Sequence, residues 1–211
     1  PGLARARRLA QQTLQRLADC LDSFRGDWVL LPGNHDAALT ESVWTRLQKL
    51  GCLPGNVHLA LRPEPLLLAG GRLAVLPAPL RRRHEPDDLT AWFDAADTPA
   101  GAVRVGLAHG SVDHRLPEGA IRHNLIADDR AERARLDYLA LGDWHGTLEI
   151  APRTWYAGTP ETDSFRSQNP GHVLRVTFTE PGAAPRVEPV ATTHFQWHDL
   201  IEQVHSQADL A

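Results

Sequence analysis

Three short segments of this 211-residue chain carry side chains able to hold a metal ion or move a proton. Asn34-His35-Asp36 offers an amide oxygen, an imidazole and a carboxylate in succession. His109 stands alone behind an apolar run. Asp143 and His145 are one residue apart, a spacing that lets a loop present two ligands to one side. Amide oxygen, imidazole and carboxylate together suit a borderline divalent ion such as Mn, Fe or Zn. One such histidine by itself reads as decoration on a surface loop. Three such segments, each closing an apolar run, point to a site.

The elements that must position these residues are short. Trp28-Val29-Leu30-Leu31, Val103–Ala108 and Tyr138–Leu141 are continuous apolar runs, the mark of strands buried on both faces. They end in Pro32-Gly33, His109-Gly110-Ser111 and Gly142-Asp143-Trp144-His145-Gly146. Ligands gather beyond the carboxyl ends of strands in α/β sheets, so Asn34, His35, His109, Asp143 and His145 are expected to converge. A helix is expected over 3–24, with Leu14, Leu17, Leu21 and Phe24 on its apolar face and Cys20 filling core. A second runs from Glu41 to Leu50 and closes at Gly51. Pro65–Leu68 and Leu73–Leu76 flank Gly70-Gly71 as a two-residue hairpin, and Pro77 and Pro79 end that section. Short helical turns are expected at Leu89–Ala95 and near Asp128–Arg135. Leu148–Ala151, Thr154–Tyr156, Val173–Thr179 and Val187–Thr192 read as antiparallel strands, with Pro181-Gly182 as a turn and a helix from His198. Helix, buried strand, loop, helix is the grammar of a layered α/β protein. With no repeat or linker, one domain over residues 1–211 is the simplest organisation.

Composition narrows the classes. The apolar share is 42% and the charged share 23%, which argues against fibrous, disordered and membrane-spanning chains. A net charge of −4 gives no overall basic field of the kind a DNA-coating protein carries. Cys20 and Cys52 are too few for a disulfide framework, so a reducing, cytoplasmic compartment is expected. Methionine is absent and the first residue is Pro1, so further sequence is expected upstream.

The motifs carry a family resemblance. Leu31-Pro32-Gly33-Asn34-His35-Asp36 resembles the GNHD block of calcineurin-like metallophosphoesterases, and His109 resembles that family's lone metal histidine. Leu141-Gly142-Asp143-Trp144-His145 resembles its GHxH block. Tyr156-Ala157-Gly158-Thr159-Pro160-Glu161 resembles the following turn in the SbcD-like DNA-repair exonuclease branch. The four blocks cover roughly residues 28 to 178. The resemblance implies an α/β/β/α sandwich with mixed sheets and a phosphoesterase that activates water with two divalent ions about 3.5–4 Å apart. Manganese is the first expectation, with Mg, Fe or Zn as alternatives. By position Asn34, His109 and Asp143 would ligate one ion and His145 the other. His35 would be the catalytic group that protonates the leaving alkoxide, and Asp36 would fix the loop. The implied partners are a phosphodiester substrate such as DNA, an ATPase subunit and a second copy of the chain.

Two departures matter. Asp143 stands where the family has a histidine, and a carboxylate shifts preference from Zn towards Mn or Mg. The family's D-x-H and GDxxD blocks, which precede its GNHD strand, do not occur in these 211 residues. Part of a site is therefore expected here, with weak metal binding and little activity, and with a manganese-active full-length parent. Three functions stay open: a DNA-repair exonuclease, a small-molecule phosphodiesterase that the charge of −4 suits better, and a degenerate, non-catalytic partner domain.

Weaker candidates remain. Arg81-Arg82-Arg83-His84 can meet phosphates or simply face water. Asp113 and His114 can touch substrate or have no role. Trp144 is expected to wall the site. His58, His123, His172, His194, His198 and His205 read as structural or surface residues.

Overall fold

The computed structural model describes residues 2–116, 122–165 and 169–198, with side chains from Gln11 onward. The helix expected from His198 lies almost wholly outside the described residues. The chain is mixed α/β. Helix α1 spans Gly2–Asp22, and the capped helix α2 spans Val43–Leu50. Ser42 and Thr45 cap the start of α2 reciprocally, and Gly51 closes it at φ 62°, a left-handed conformation that glycine adopts without strain. Strands β1 (Trp28–Leu30) and β2 (Val57–Leu59) form a parallel pair. The main sheet has six strands in the order β3-β4-β5-β6-β8-β7. These are Leu66–Leu68, Leu73–Ala78, Val103–His109, Tyr138–Gly142, Thr154–Tyr156 and Leu148–Ala151. Strands β9 (His172–Thr177) and β10 (Arg186–Ala191) make a separate antiparallel hairpin.

What positions the site is the parallel centre of the main sheet. Strands β4, β5, β6 and β8 run in one direction, so Ala78, His109, Gly142 and Tyr156 end at one edge. His109 lies directly opposite Gly142 in the ladder. The turn after β1 is tied to the same edge from the smaller sheet: Ala38 N–H donates to Leu80 O at 2.8 Å, and Leu80 N–H to Pro32 O at 3.4 Å.

Two apolar clusters hold this arrangement. The larger packs Leu76, Phe93, Val112, Leu136, Leu139 and Tyr156 around the main sheet, with Trp144 against it. The smaller joins Leu14, Trp44 and Leu47 to Leu30, Leu59 and Leu61.

Several local expectations need correction. The inward face of α1 is Leu14, Ala18 and Leu21, while Leu17, Phe24 and Cys20 are exposed. One small residue lets the helix approach where a leucine would hold it off. Strand β1 is half-buried rather than covered on both faces, because β2 is its only partner strand among the described residues. The β3–β4 connection is a three-residue 3₁₀ turn, Ala69–Gly71, followed by Arg72, with Gly70 and Gly71 at φ 68° and 86°, not a two-residue hairpin. Strand β4 continues through Pro77, because β3 pairs only with Leu73–Val75 and leaves Pro77 on an unpaired side that needs no N–H. Strand β8 pairs in parallel with β6, so only part of the C-terminal third is antiparallel.

The loops on the flank of the sheet close on Arg130, a 2% exposed residue of the short helix α3 (Arg130–Arg133). Its guanidinium donates to Asp94 Oδ1 at 2.6 Å and Asp88 Oδ2 at 2.8 Å, and Arg133 adds a bond to Asp94 at 2.6 Å. Burial pushes the Asp88 and Asp94 carboxyls up, but these bonds, with the Thr90 hydroxyl on Asp88, outweigh it and hold both below 3.8. Their stabilising contribution is therefore complete above about pH 5 and is lost as pH falls through the lowered values. Arg130→Ala should cost about 2–4 kcal/mol, towards the lower end for a buried pair because both carboxylates keep some water contact. The variant should also lose much of the acid dependence below about pH 5. Urea unfolding across pH 3–7 reads both, and an unchanged midpoint would show that the cluster contributes nothing.

Candidate functional site

Asn34, His109 and Asp143 come from three different strand ends and meet. The His109 Nε2 lies 3.2 Å from Asn34 Oδ1 and 3.5 Å from Asp143 Oδ1, and the Asn34 amide donates to Asp143 Oδ1 at 3.1 Å. Asn34 and Asp143 are 109 positions apart in sequence, so only the fold brings them together. All three are half-buried.

Each residue has a local reason to be there. Asp36 Oδ1 accepts the Gly33 N–H at 2.7 Å, and its carbonyl accepts the Trp44 indole N–H. That closes the turn around Asn34, as expected for Asp36. His109 ends β5 in a slot with two glycine walls. A Cβ on Gly33 would lie 2.9 Å from His109 Cε1, and one on Gly142 would lie 2.9 Å from Nδ1. Both distances are far inside van der Waals contact. Asp143 has φ 103°, a conformation costing a non-glycine residue of order 1–3 kcal/mol, and such strain clusters at functional sites.

Behind the cluster, Ser111 is fully buried. Its hydroxyl donates to Asp143 Oδ2 at 3.3 Å and accepts the His123 N–H at 3.1 Å. The Tyr156 hydroxyl donates to Gly110 O at 2.7 Å and accepts the Val112 N–H at 2.9 Å. Burial, with a smaller contribution from the Asp143 charge, pushes that phenol well above its ordinary value, so it remains a donor.

His35 and His145 do not join the contact. His35 is exposed at the tip of its turn, with no side-chain hydrogen bond among the described residues. His145 is 62% exposed and pairs through Nδ1 with Asp163 Oδ2 at 2.7 Å. Its turn is nevertheless fixed: Gly158, at φ 75°, lies so close that a Cβ would stand 2.7 Å from Gly146 C and Thr147 N. Glu161 then clasps the segment after β10, accepting from the Thr193 hydroxyl and from His194 N–H at 2.7 Å and Phe195 N–H at 3.3 Å. The Thr193 hydroxyl above all holds its carboxyl down to about 2.

Asp113 pairs with His114 at 3.2 Å on the surface. Ser111 and Asp163 are site residues that motif reading passes over. A serine directly after His109-Gly110 was a usable signal, whereas nothing in sequence ties Asp163 to His145.

A divalent ion bound at about 2.0–2.2 Å sets neighbouring donors roughly 3.0–3.6 Å apart. The separations of His109 Nε2 from Asn34 Oδ1 and from Asp143 Oδ1, 3.2 and 3.5 Å, are of that size, while the Asn34 amide nitrogen, which cannot ligate, faces Asp143. Among the described residues no group of three or more His, Cys, Asp and Glu converges. The third donor here is an amide. An imidazole that ligates through Nε2 must carry its proton on Nδ1.

No protein-family model matches the chain, and no curated protein matches it.

The slot around His109 is directly testable. Gly142→Ala should displace the imidazole, shifting its ring resonances in NMR while those of His58, on β2, stay in place and the circular dichroism is retained. An unmoved His109 signal would show that the glycine wall does not set the ring.

Proposed function

We propose that this chain is part of a metal-dependent phosphoesterase that hydrolyses phosphodiester bonds, with DNA as substrate. The observation that carries the reading is the meeting of Asn34, His109 and Asp143, with His109 Nε2 at 3.2 Å from the Asn34 amide oxygen and 3.5 Å from the Asp143 carboxylate. The resemblance of their sequence blocks to calcineurin-like metallophosphoesterases supplies the reaction class. In this reading the six-stranded sheet and the β1–β2 pair correspond to the two sheets of an α/β/β/α sandwich.

A divalent ion on these donors, manganese first because a carboxylate and an amide oxygen are hard ligands, supplies charge for the phosphoryl oxygens and a hydroxide at neutral pH. The residues do the rest. Asp143 anchors the ion's charge and is itself oriented by Ser111 and Asn34. His109 presents a ring that two glycines keep from turning. His35, exposed beside Asn34, is free to approach the leaving oxygen and give it a proton. His145, oriented by Asp163, is the donor available to a second ion. The other ligands of that ion belong to the D-x-H and GDxxD blocks, which these residues do not include.

The charge of −4 favours a small phosphoester over a polymer, while the resemblance of the Tyr156–Glu161 turn to the SbcD-like branch favours DNA. An ATPase partner subunit, self-association and a cytoplasmic location belong to the proposal. No helix among the described residues is long and apolar enough to cross a membrane.

Substitution of Asp143 in the full-length protein tests the reading. Asp143→Asn should lower manganese-dependent hydrolysis of bis-p-nitrophenyl phosphate by about 100-fold or more, beyond the 10–100-fold typical of a residue that only orients a ligand. Asp143→His should keep activity and move the metal ranking from Mn or Mg towards Zn. Full activity of the Asn variant at ordinary manganese concentrations would remove the ligand role.

A further inference from the structure

Two Arg-His dipeptides far apart in sequence are joined beside the site. The rings of His84 and His123 lie 4.3 Å apart at 47°, which brings Arg83-His84 and Arg122-His123 side by side. The junction is built rather than incidental. Asn124 Oδ1 accepts the Glu85 N–H at 2.7 Å and its amide donates to Arg83 O at 3.3 Å, so the residues flanking the two histidines are bonded to each other. Asn124 sits at φ 52°, a left-handed conformation that asparagine tolerates. Glu85, with a side chain only 1% exposed, accepts the Arg81 and Arg82 N–H groups at 2.9 and 3.1 Å and the Arg82 guanidinium at 3.2 Å. It thereby curls the loop and offsets one of those two positive charges, with the Arg81 and Arg82 guanidinium groups 3.7 and 3.2 Å away.

The same unit is bolted to the candidate site. His123 N–H donates to the Ser111 hydroxyl that in turn donates to Asp143. The Asn124 carbonyl packs so tightly on Gly110 that a Cβ there would stand 2.0 Å away. The loop after β4 also leaves the sheet at the edge where β5 and β6 end. The guanidinium groups of Arg83 and Arg122 have no partner among the described residues, and both residues are exposed.

We infer that Arg83-His84 and Arg122-His123 form a subsite for a backbone phosphate of nucleic acid, flanking the bond held at Asn34, His109 and Asp143. Guanidinium groups offer the planar fork that matches phosphate, and on a backbone already fixed only their side chains need ordering on binding. The chain is acidic overall, so a local pair of arginines with no partner among the described residues is informative where a uniformly basic surface would not be. The inference rests on the phosphoesterase reading for its orientation, but its test does not need hydrolysis.

The test is fluorescence anisotropy of a labelled 12-nucleotide oligodeoxythymidylate with the full-length protein in EDTA. The double variant Arg83→Ala/Arg122→Ala should bind about tenfold or more weakly. Its salt dependence should flatten by about 1.4 in slope, about 0.7 for each lost contact to a single strand. Arg72→Ala/Arg186→Ala removes equal charge at the other end of the strands and should change affinity less than twofold. Inorganic phosphate at matched phosphate concentration should not displace the oligomer. Wild-type protein that does not bind, binding indifferent to Arg83 and Arg122, an equal loss in the control variant, or displacement by free phosphate each overturns the inference. Hydrolysis with manganese is read separately: binding through these arginines without cleavage removes the phosphoesterase reading and leaves the subsite. Cleavage without dependence on them does the reverse.

Discussion

The His109 imidazole occupies a slot whose walls are the α-carbons of Gly33, in the turn after β1, and Gly142, at the end of β6. A methyl group on either wall would enter the ring. This close approach is what lets a side chain at the end of β5 touch both the turn after β1 and the turn after β6. The parallel register that sets His109 opposite Gly142 makes it possible, and the Asp36 clamp on Gly33 keeps the other wall in place. Strain at Asp143 follows from the same crowding. The chain must leave Gly142 sharply enough for the carboxylate to return towards the imidazole.

Around that slot the structure spends buried polar groups on loops rather than on the sheet. Tyr156, Ser111, Asn124, Glu85 and Arg130 each hold a segment that has no ladder of its own. Asp137 does the same at the opposite edge, accepting from the Arg104 and Gly182 N–H groups at 2.8 and 2.5 Å. A buried carboxylate or hydroxyl is costly unless it is bonded, so each also makes alternative loop positions unfavourable. Loops near the candidate site gain definition in this way without adding apolar bulk beside it.

The apolar runs made the central strands legible. Val103–Ala108 and Tyr138–Leu141 are β-strands within a residue of their expected bounds because they are covered by neighbours on both sides. Strand β1 has the same composition, yet its burial depends on its neighbours, which no local run encodes. The face of α1 was misjudged by one position because Ala18 and Leu17 differ less in periodicity than in the space their partners leave. At the site, the meeting of Asn34, His109 and Asp143 followed from strand ends, whereas the pairing of His145 with Asp163 and of His84 with His123 arises from loops. Loop partners are chosen by tertiary geometry, and the residues involved carry no spacing signal. The arginine-histidine loop is visible in the sequence as a charge run, but the pairing of Arg81 and Arg82 with Glu85 is not.

The candidate ion donors are divided between the two apolar clusters. Asn34 belongs to the turn anchored on the small cluster of Leu14, Trp44 and Leu47, while His109 and Asp143 belong to the larger one. A cluster of that size opens locally at lower free energy than a six-stranded sheet. Opening it withdraws Asn34 while leaving the other two donors where they are. An ion held at all three as proposed would cross-link the two clusters, adding about 2.7 kcal/mol to the closed state at a hundredfold excess over its dissociation constant. The gain falls chiefly on the weaker unit, and slowed amide exchange in α2 and β1 becomes the fingerprint of a filled site.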